Sequence, residues 1–227
     1  MICRYTSVFC PKYSSPCLDF ETNFGPDGCA IFYRISKFQI NNMSCEKIIL
    51  DDEICPQIYI IIQLKHLKTK KMITLVCLHL KSKVENYIRR ENQMKEILKG
   101  IKIHLSGKNK SFLNNNNHPI LLCGDFNGEN FENFYKLIVS DNQLPNLIDA
   151  YTVNNGKKEP TTIKLKFSDL QKRSIDYIFY NKTALKLINY LELPKNDILL
   201  EEQGLPNIKY SSDHLSLVCD FIFIKNN

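Results

Sequence analysis

The stretch Ile120-Leu121-Leu122-Cys123-Gly124-Asp125-Phe126-Asn127 constrains this chain more than any other. Four apolar residues run straight into a glycine, a carboxylate and a carboxamide. A buried strand ends this way when it delivers polar side chains to a cleft. The apolar half shows no alternation, so the strand needs cover on both faces. Asp125 and Asn127 lie two apart and share a side if the extended geometry continues through them. The same Gly-Asp-x-Asn pattern also caps ordinary loops, so partners elsewhere in the chain must decide between the two readings.

The surrounding sequence supplies the layers such a strand requires. Residues 1–27 are rich in Cys, Pro and Ser and show no period; a turn at Gly25-Pro26-Asp27-Gly28 leads into a strand at 29–33. Strands are predicted at 57–64 and 72–80, joined as a hairpin through the Lys-rich segment 65–71. From 83 to 105 the period becomes helical, with Tyr87, Met94, Leu98, Ile101 and Leu105 on one stripe. The Asn114–Asn117 run reads as a surface insertion. A second helix is predicted at 129–140, packing Phe131, Phe134, Tyr135 and Ile138, then a loop at 141–162 and strands at 175–180 and 215–224. Strands interleaved with helices give an α/β or α+β layered fold.

At 227 residues and 44% hydrophobic the chain can bury one sizeable core, and no Pro/Gly/Ser-rich linker divides it, so 1–227 is expected to form a single domain. A formal charge of +6 fits a phosphate-bearing partner but equally a plain basic surface. Nine cysteines without a CxxC pair read as reduced core thiols rather than a zinc site. The apolar runs fall short of a membrane span, so no membrane association is expected. The N-terminus does not read as an address, so an intracellular, cytoplasmic location is expected, with a mitochondrial one open if a segment precedes it.

Several polar residues interrupt this apolar plan: His79, Asp125 with Asn127, Asp176 inside Ile175-Asp176-Tyr177-Ile178, and Asp213-His214. Each has an ordinary explanation, as a hydrogen-bonded core histidine or a loop-ending aspartate. Their joint placement at strand ends argues otherwise. Carboxylates suit a hard divalent cation such as Mg²⁺, which neutralises charge on a phosphate while a carboxylate positions water. A histidine oriented by a second aspartate is suited to donate to phosphate oxygens.

These motifs, His79-Leu80, Gly124-Asp125-Phe126-Asn127, Asp176-Tyr177-Ile178 and Ser212-Asp213-His214, resemble in their order the endonuclease/exonuclease/phosphatase superfamily. Ser15-Pro16-Cys17-Leu18-Asp19, Gly25-Pro26-Asp27-Gly28-Cys29-Ala30 and Leu205-Pro206-Asn207 are similar to the nocturnin branch, beside the carbon-catabolite-repressor-4 and Angel deadenylases. The resemblance implies two β-sheets packed face to face with helices outside, and Mg²⁺-dependent phosphoester hydrolysis, with Mn²⁺ as the alternative ion. It implies that Asp125 activates water, Asn127 holds the site, Asp213 binds metal, His214 is oriented by Asp176, and His79 attends the phosphate. Lys12 and Lys81 match phosphate-gripping positions; Lys83 stands where the family has Arg, and Lys cannot reproduce its bidentate grip. The implied substrate is the 2′-phosphate of NADP(H), with poly(A) RNA as the alternative and a non-catalytic nucleotide- or protein-binding remnant as the reading from another class. The family's opening strand and the Gln-Glu whose Glu holds the metal have no match upstream of Asp19. The chain is therefore expected to lack the domain's first strands and to be weakened as a catalyst.

Overall fold

The computed structural model describes residues 4–50, 53–106, 117–140, 144, 147–152, 159–166, 169–194 and 204–224; the Asn114–Asn116 part of the expected insertion lies outside them. In chain order the strands are β1 (Tyr5–Pro11), β2 (Gly28–Arg34), β3 (Phe38–Leu50), β4 (Glu53–His66), β5 (Met72–His79), β6 (Ile120–Asp125), β7 (Leu147–Asp149), β8 (Thr162–Lys166), β9 (Asp169–Arg173), β10 (Asp176–Asn181), β11 (Leu185–Tyr190) and β12 (Cys219–Phe223). Helix α1 (Tyr87–Ser106) joins β5 to β6, and α2 (Asn133–Ser140) lies between β6 and β7.

The main sheet has the order β3-β4-β5-β6-β10-β7. The β4–β5 hairpin turns through the segment expected to do so, with Lys70 at φ 60° and its N–H donating to His66 O at 2.8 Å. β5 and β6 run parallel, so the chain must cross over between them, and α1 makes that crossover. One face of the sheet packs on α1 and α2 through Tyr59, Ile61, Val76, Leu122 and Phe179. The other face packs on two ribbons, β1–β2 and β11–β12, through Ile58, Ile60, Ile62 and Leu64.

This two-sided cover explains why β4 and β6 have no alternation. Every residue from Ile58 to Leu64 is buried. Burying one such aliphatic side chain contributes roughly 1.5–3 kcal/mol, so the three isoleucines facing the ribbons together rival the net stability of an ordinary domain. Neither covering layer is dispensable. The architecture is a layered α/β sandwich of mixed sheets with helices on the outside.

Local sequence misjudged several elements. The aperiodic N-terminal segment contains β1, because a two-stranded ribbon with one exposed face tolerates Ser7 and Pro11. The expected loop at 141–162 contains the short edge strand β7. β3, the β8–β9 hairpin and β11 carry too many polar residues to stand out, and pairing, not pattern, makes them strands. Tyr87 and Phe131 are exposed rather than packed, whereas Arg90 and Gln93 occupy the buried stripe of α1.

Gly124 is needed where it stands. Its φ is 147°, and a Cβ there would lie 2.0 Å from the backbone oxygen of Leu78 in the adjacent parallel strand. Gly124→Ala is expected to cost on the order of 3 kcal/mol or more, read as a lower urea midpoint with unchanged m-value; an unshifted midpoint would contradict this. His118 is buried on Thr74 Oγ1 at 2.8 Å, and burial pulls its imidazole down to about 4. The unfolded chain then binds the proton first as pH falls. Stability is lost between about pH 6.5 and 4, by on the order of 3 kcal/mol, and is present in full above that window. Thermal unfolding of the wild type and His118→Asn across that range should show a steeper loss for the wild type.

Candidate active site

The parallel β5–β6 pair ends with His79 beside Asp125, and antiparallel β10 starts with Asp176 opposite Asp125. Three strands thus bring three polar residues to one edge of the sheet. Asp125 Oδ1 accepts the Asn127 N–H at 2.8 Å, which holds Asn127 in the left-handed region at φ 52°. Asn127 Nδ2 donates to Leu80 O at 3.1 Å and to Asp125 Oδ2 at 3.2 Å, and Arg173 donates to Asn127 O at 2.9 Å.

Asp176 is fixed equally well. Its Oδ2 accepts from Thr161 Oγ1 at 2.6 Å, and that hydroxyl in turn accepts the N–H groups of Ile175 and Asp176 at 3.1 and 3.2 Å. His214 Nδ1 lies 2.9 Å from the same Oδ2, leaving Nε2 4.0 Å from Asp125 Oδ2. His79 Nε2 approaches Asp125 Oδ2 at 3.6 Å from the other strand. A cleft of about 400 Å³ is lined by Asp125, Asp176 and Leu215, and a second of about 360 Å³ by His214, Leu215 and Tyr210.

The electrostatics separate the two histidines. Burial and then the neighbouring Asp176 charge push Asp125 up to about 6. The hydrogen bond to the Asp176 carboxylate raises His214 against the opposing effect of burial. Burial, and then the Lys12 charge, lower His79. His214 is therefore biased toward the imidazolium, a donor, and His79 toward the neutral ring. Opposite shifts in neighbouring groups are how one site assigns distinct proton roles.

Among the described residues, Asp125, Asp176 and His214 form the group whose ligand atoms, all within 4.8 Å of one another, could share a cation. Two hard carboxylates at close range, one with its proton affinity raised by the other, fit a divalent ion. Asp125 would hold it through Oδ2, which accepts Asn127 Nδ2 at 3.2 Å, while Asp176 Oδ2 is engaged by both His214 and Thr161. Asp213 stands apart: its carboxylate turns to Lys164 Nζ at 2.7 Å, and Thr162 Oγ1 holds its backbone oxygen.

The lysines are distributed unevenly. Lys12 is ion-paired with Asp27, which Ser15 also supports. Burial works to raise the Asp27 carboxyl, but Lys12 and Ser15 hold it below the usual range. Lys81 and Lys83 sit on the loop after β5, where Lys83 adopts φ 74°. That loop is clamped by Arg90, which is fully buried. Arg90 forms a bidentate pair with Glu132 at 2.8 Å and donates to the carbonyls of Lys81, Lys83 and Val84 at 3.1, 2.6 and 3.3 Å. Sequence reasoning missed Arg90, Thr161, Lys164 and Arg173. Only Arg90 left a trace, a charge four residues before Met94 on the apolar stripe of α1.

Acids and an imidazole gathered at one end of a two-layer sandwich suit attack on phosphate esters, and metal-dependent phosphoesterases are the class these features define. The Endonuclease/Exonuclease/phosphatase family model matches residues 4–214, and the chain belongs to that family. Within it, the chain is 35% identical to the Nocturnin of Rattus norvegicus over 96% of its own length and 50% of the relative's. The structure of the human Nocturnin catalytic domain with bound sulfate superposes with a TM-score of 0.78 at 32% identity, covering 97% of this chain and 73% of that one. The 3′-5′-exoribonuclease subunit Ccr4 of the Candida glabrata CCR4-Not complex is 23% identical over 98% of this chain and 29% of its own length. The chain thus spans about half the length of the Nocturnin it matches.

The Arg90–Glu132 pair should behave as a buried ion pair. Arg90→Met alone leaves an uncompensated carboxylate and is expected to cost about 3–5 kcal/mol in urea unfolding. The double replacement Arg90→Met with Glu132→Leu should cost less than the single one. A double variant weaker than either single would contradict this assignment.

Proposed function

We propose that this chain carries the catalytic centre of a nocturnin-like, divalent-metal-dependent phosphohydrolase whose substrate is the 2′-phosphate of NADP(H). The observation that carries this reading is the Asp176–His214 hydrogen bond at 2.9 Å beside Asp125, at the meeting point of β5, β6 and β10. A divalent ion, Mg²⁺ by the chemistry of the donors, would sit on Asp125 and draw charge from the phosphate. Asp125 orients the attacking water, with Asn127 fixing its carboxylate. His214, held by Asp176, donates through Nε2 to a phosphate oxygen as charge builds on it. His79, biased toward the neutral ring, faces Asp125 from the adjacent parallel strand and can accept a hydrogen bond from the water. Lys164, whose charge reaches Asp125, and Lys12, whose charge reaches His79, supply positive charge around this point, and Lys81 and Lys83 would add to it from the loop after β5.

A second reading, 3′→5′ removal of poly(A), draws on the similarity to the Ccr4 exoribonuclease subunit. It needs a path for several nucleotides, and basic residues with exposed rings such as Tyr13 and Phe24 would provide stacking surfaces there.

Purified protein incubated with NADP⁺ and Mg²⁺ should release inorganic phosphate. His214→Ala and Asp125→Ala should each lower that rate at least about 100-fold, while circular dichroism stays unchanged. Stepwise shortening of a labelled oligo(A) with no phosphate release from NADP⁺ would transfer the assignment to the nuclease. Retention of full phosphatase activity in His214→Ala would sink the mechanism.

A further inference from the structure

Thr161 and the start of β8 bracket His214 on both sides. Before the histidine, Thr162 Oγ1 donates to the Asp213 backbone oxygen at 2.7 Å, and Lys164 Nζ pairs with the Asp213 carboxylate, also at 2.7 Å. After it, the Leu215 N–H donates to Thr161 O at 2.8 Å. At the ring, Thr161 Oγ1 and His214 Nδ1 meet on one atom, Asp176 Oδ2, at 2.6 and 2.9 Å. The Thr161 hydroxyl has no freedom to turn away. It accepts the N–H groups of Ile175 and Asp176, so its single proton is directed at the Asp176 carboxylate. Both threonines are buried, so bulk water does not replace either hydroxyl. The bracket is itself anchored: the Thr161 N–H donates to Arg173 O at 2.9 Å, β8 pairs with β9, and Ile163 O accepts the Leu205 N–H at 2.7 Å. A further tie, from the His214 N–H to Ser212 Oγ at 3.1 Å, lies within the histidine's own loop and cannot set that loop against β10.

We propose that Thr161 and Thr162 are positioning residues for His214, Thr161 through the Asp176 carboxylate and Thr162 through the Asp213 backbone. Together they set the reach of Nε2, which lies 4.0 Å from Asp125 Oδ2. The inference rests on the reading of His214 as the donor to the phosphate. A donor aimed at charge that develops in the transition state must be held in place before the reaction, and a small displacement is felt in the chemical step rather than in substrate binding.

Thr162→Val keeps the branched shape and removes the hydroxyl. In phosphate release from NADP⁺ with Mg²⁺ it should lower kcat roughly 10- to 100-fold with KM nearly unchanged, and Thr162→Ser should restore most of the lost rate. In a His214→Ala background the same Thr162→Val change should cost nothing further, because no imidazole remains to be placed. Thr161→Val should follow the same pattern, but it also strips two backbone N–H groups of their acceptor; if it fails to fold, Thr162→Val decides. Wild-type kcat in Thr162→Val, a loss confined to KM, or an equal loss with and without His214 would each overturn the proposal. Amide hydrogen exchange gives a readout apart from hydrolysis. Thr162→Val should speed exchange across 212–217 and leave 58–64 in β4 unchanged. A wild type that releases no phosphate would remove the enzymatic reading, and unchanged exchange at 212–217 would remove the bracket.

Discussion

The parallel pairing of β5 with β6 is the constraint on which the site depends. Two parallel strands end at the same edge, so His79 and Asp125 arrive side by side. Had β6 run the other way, its six residues would carry Asp125 roughly 17 Å along the sheet from His79, at about 3.3 Å per residue. Parallel pairing requires a crossover, and α1 provides it while covering one face of the sheet. Antiparallel β10 then begins where the other two end and adds Asp176. Ligand sites in such sheets lie beyond the carboxyl ends of the parallel strands for this reason.

Holding two carboxylates this close in a half-buried position is unfavourable, and the fold offsets it with backbone contacts. Asp125 is supported by the Asn127 N–H, and Asp176 by a threonine hydroxyl that is itself pinned by two backbone N–H groups. Nearby, Arg90 ties the lysine-bearing loop to the turn after Asn127 through Glu132 and three carbonyls. Both devices fix the polar edge by the chain's own backbone, so it is preorganised before any ligand arrives.

The legibility of the sequence followed its physics. β4, β5, β6 and β10 were readable because strands buried on both faces must be uniformly apolar. Asp125, Asp176 and His214 were readable as polar interruptions of that pattern. β3, β8, β9 and β11 were not, since edge and ribbon strands expose one side and mix polar with apolar residues. Thr161, Lys164 and Arg173 were invisible because their partners lie far along the chain. Thr161 meets Asp176 fifteen residues away, and Arg173 meets Asn127 forty-six residues away. Asp213 was read as a metal ligand through resemblance, but its exposed carboxylate finds Lys164, which only the β8 strand brings near.

The sequence by itself determined which strands fill the centre of the sheet and which acids and imidazoles the chain presents at their ends. Burial on two faces leaves an unmistakable apolar run, and a charge beside it has few structural excuses. The tertiary structure alone decided the geometry: that Lys164 claims the Asp213 carboxylate and that His79 turns toward Asp125. It also decided that Cys10, Cys29, Cys77 and Cys219 line the layer between the main sheet and the ribbons. Those outcomes depend on register, strand direction and distance in space, which no local pattern encodes.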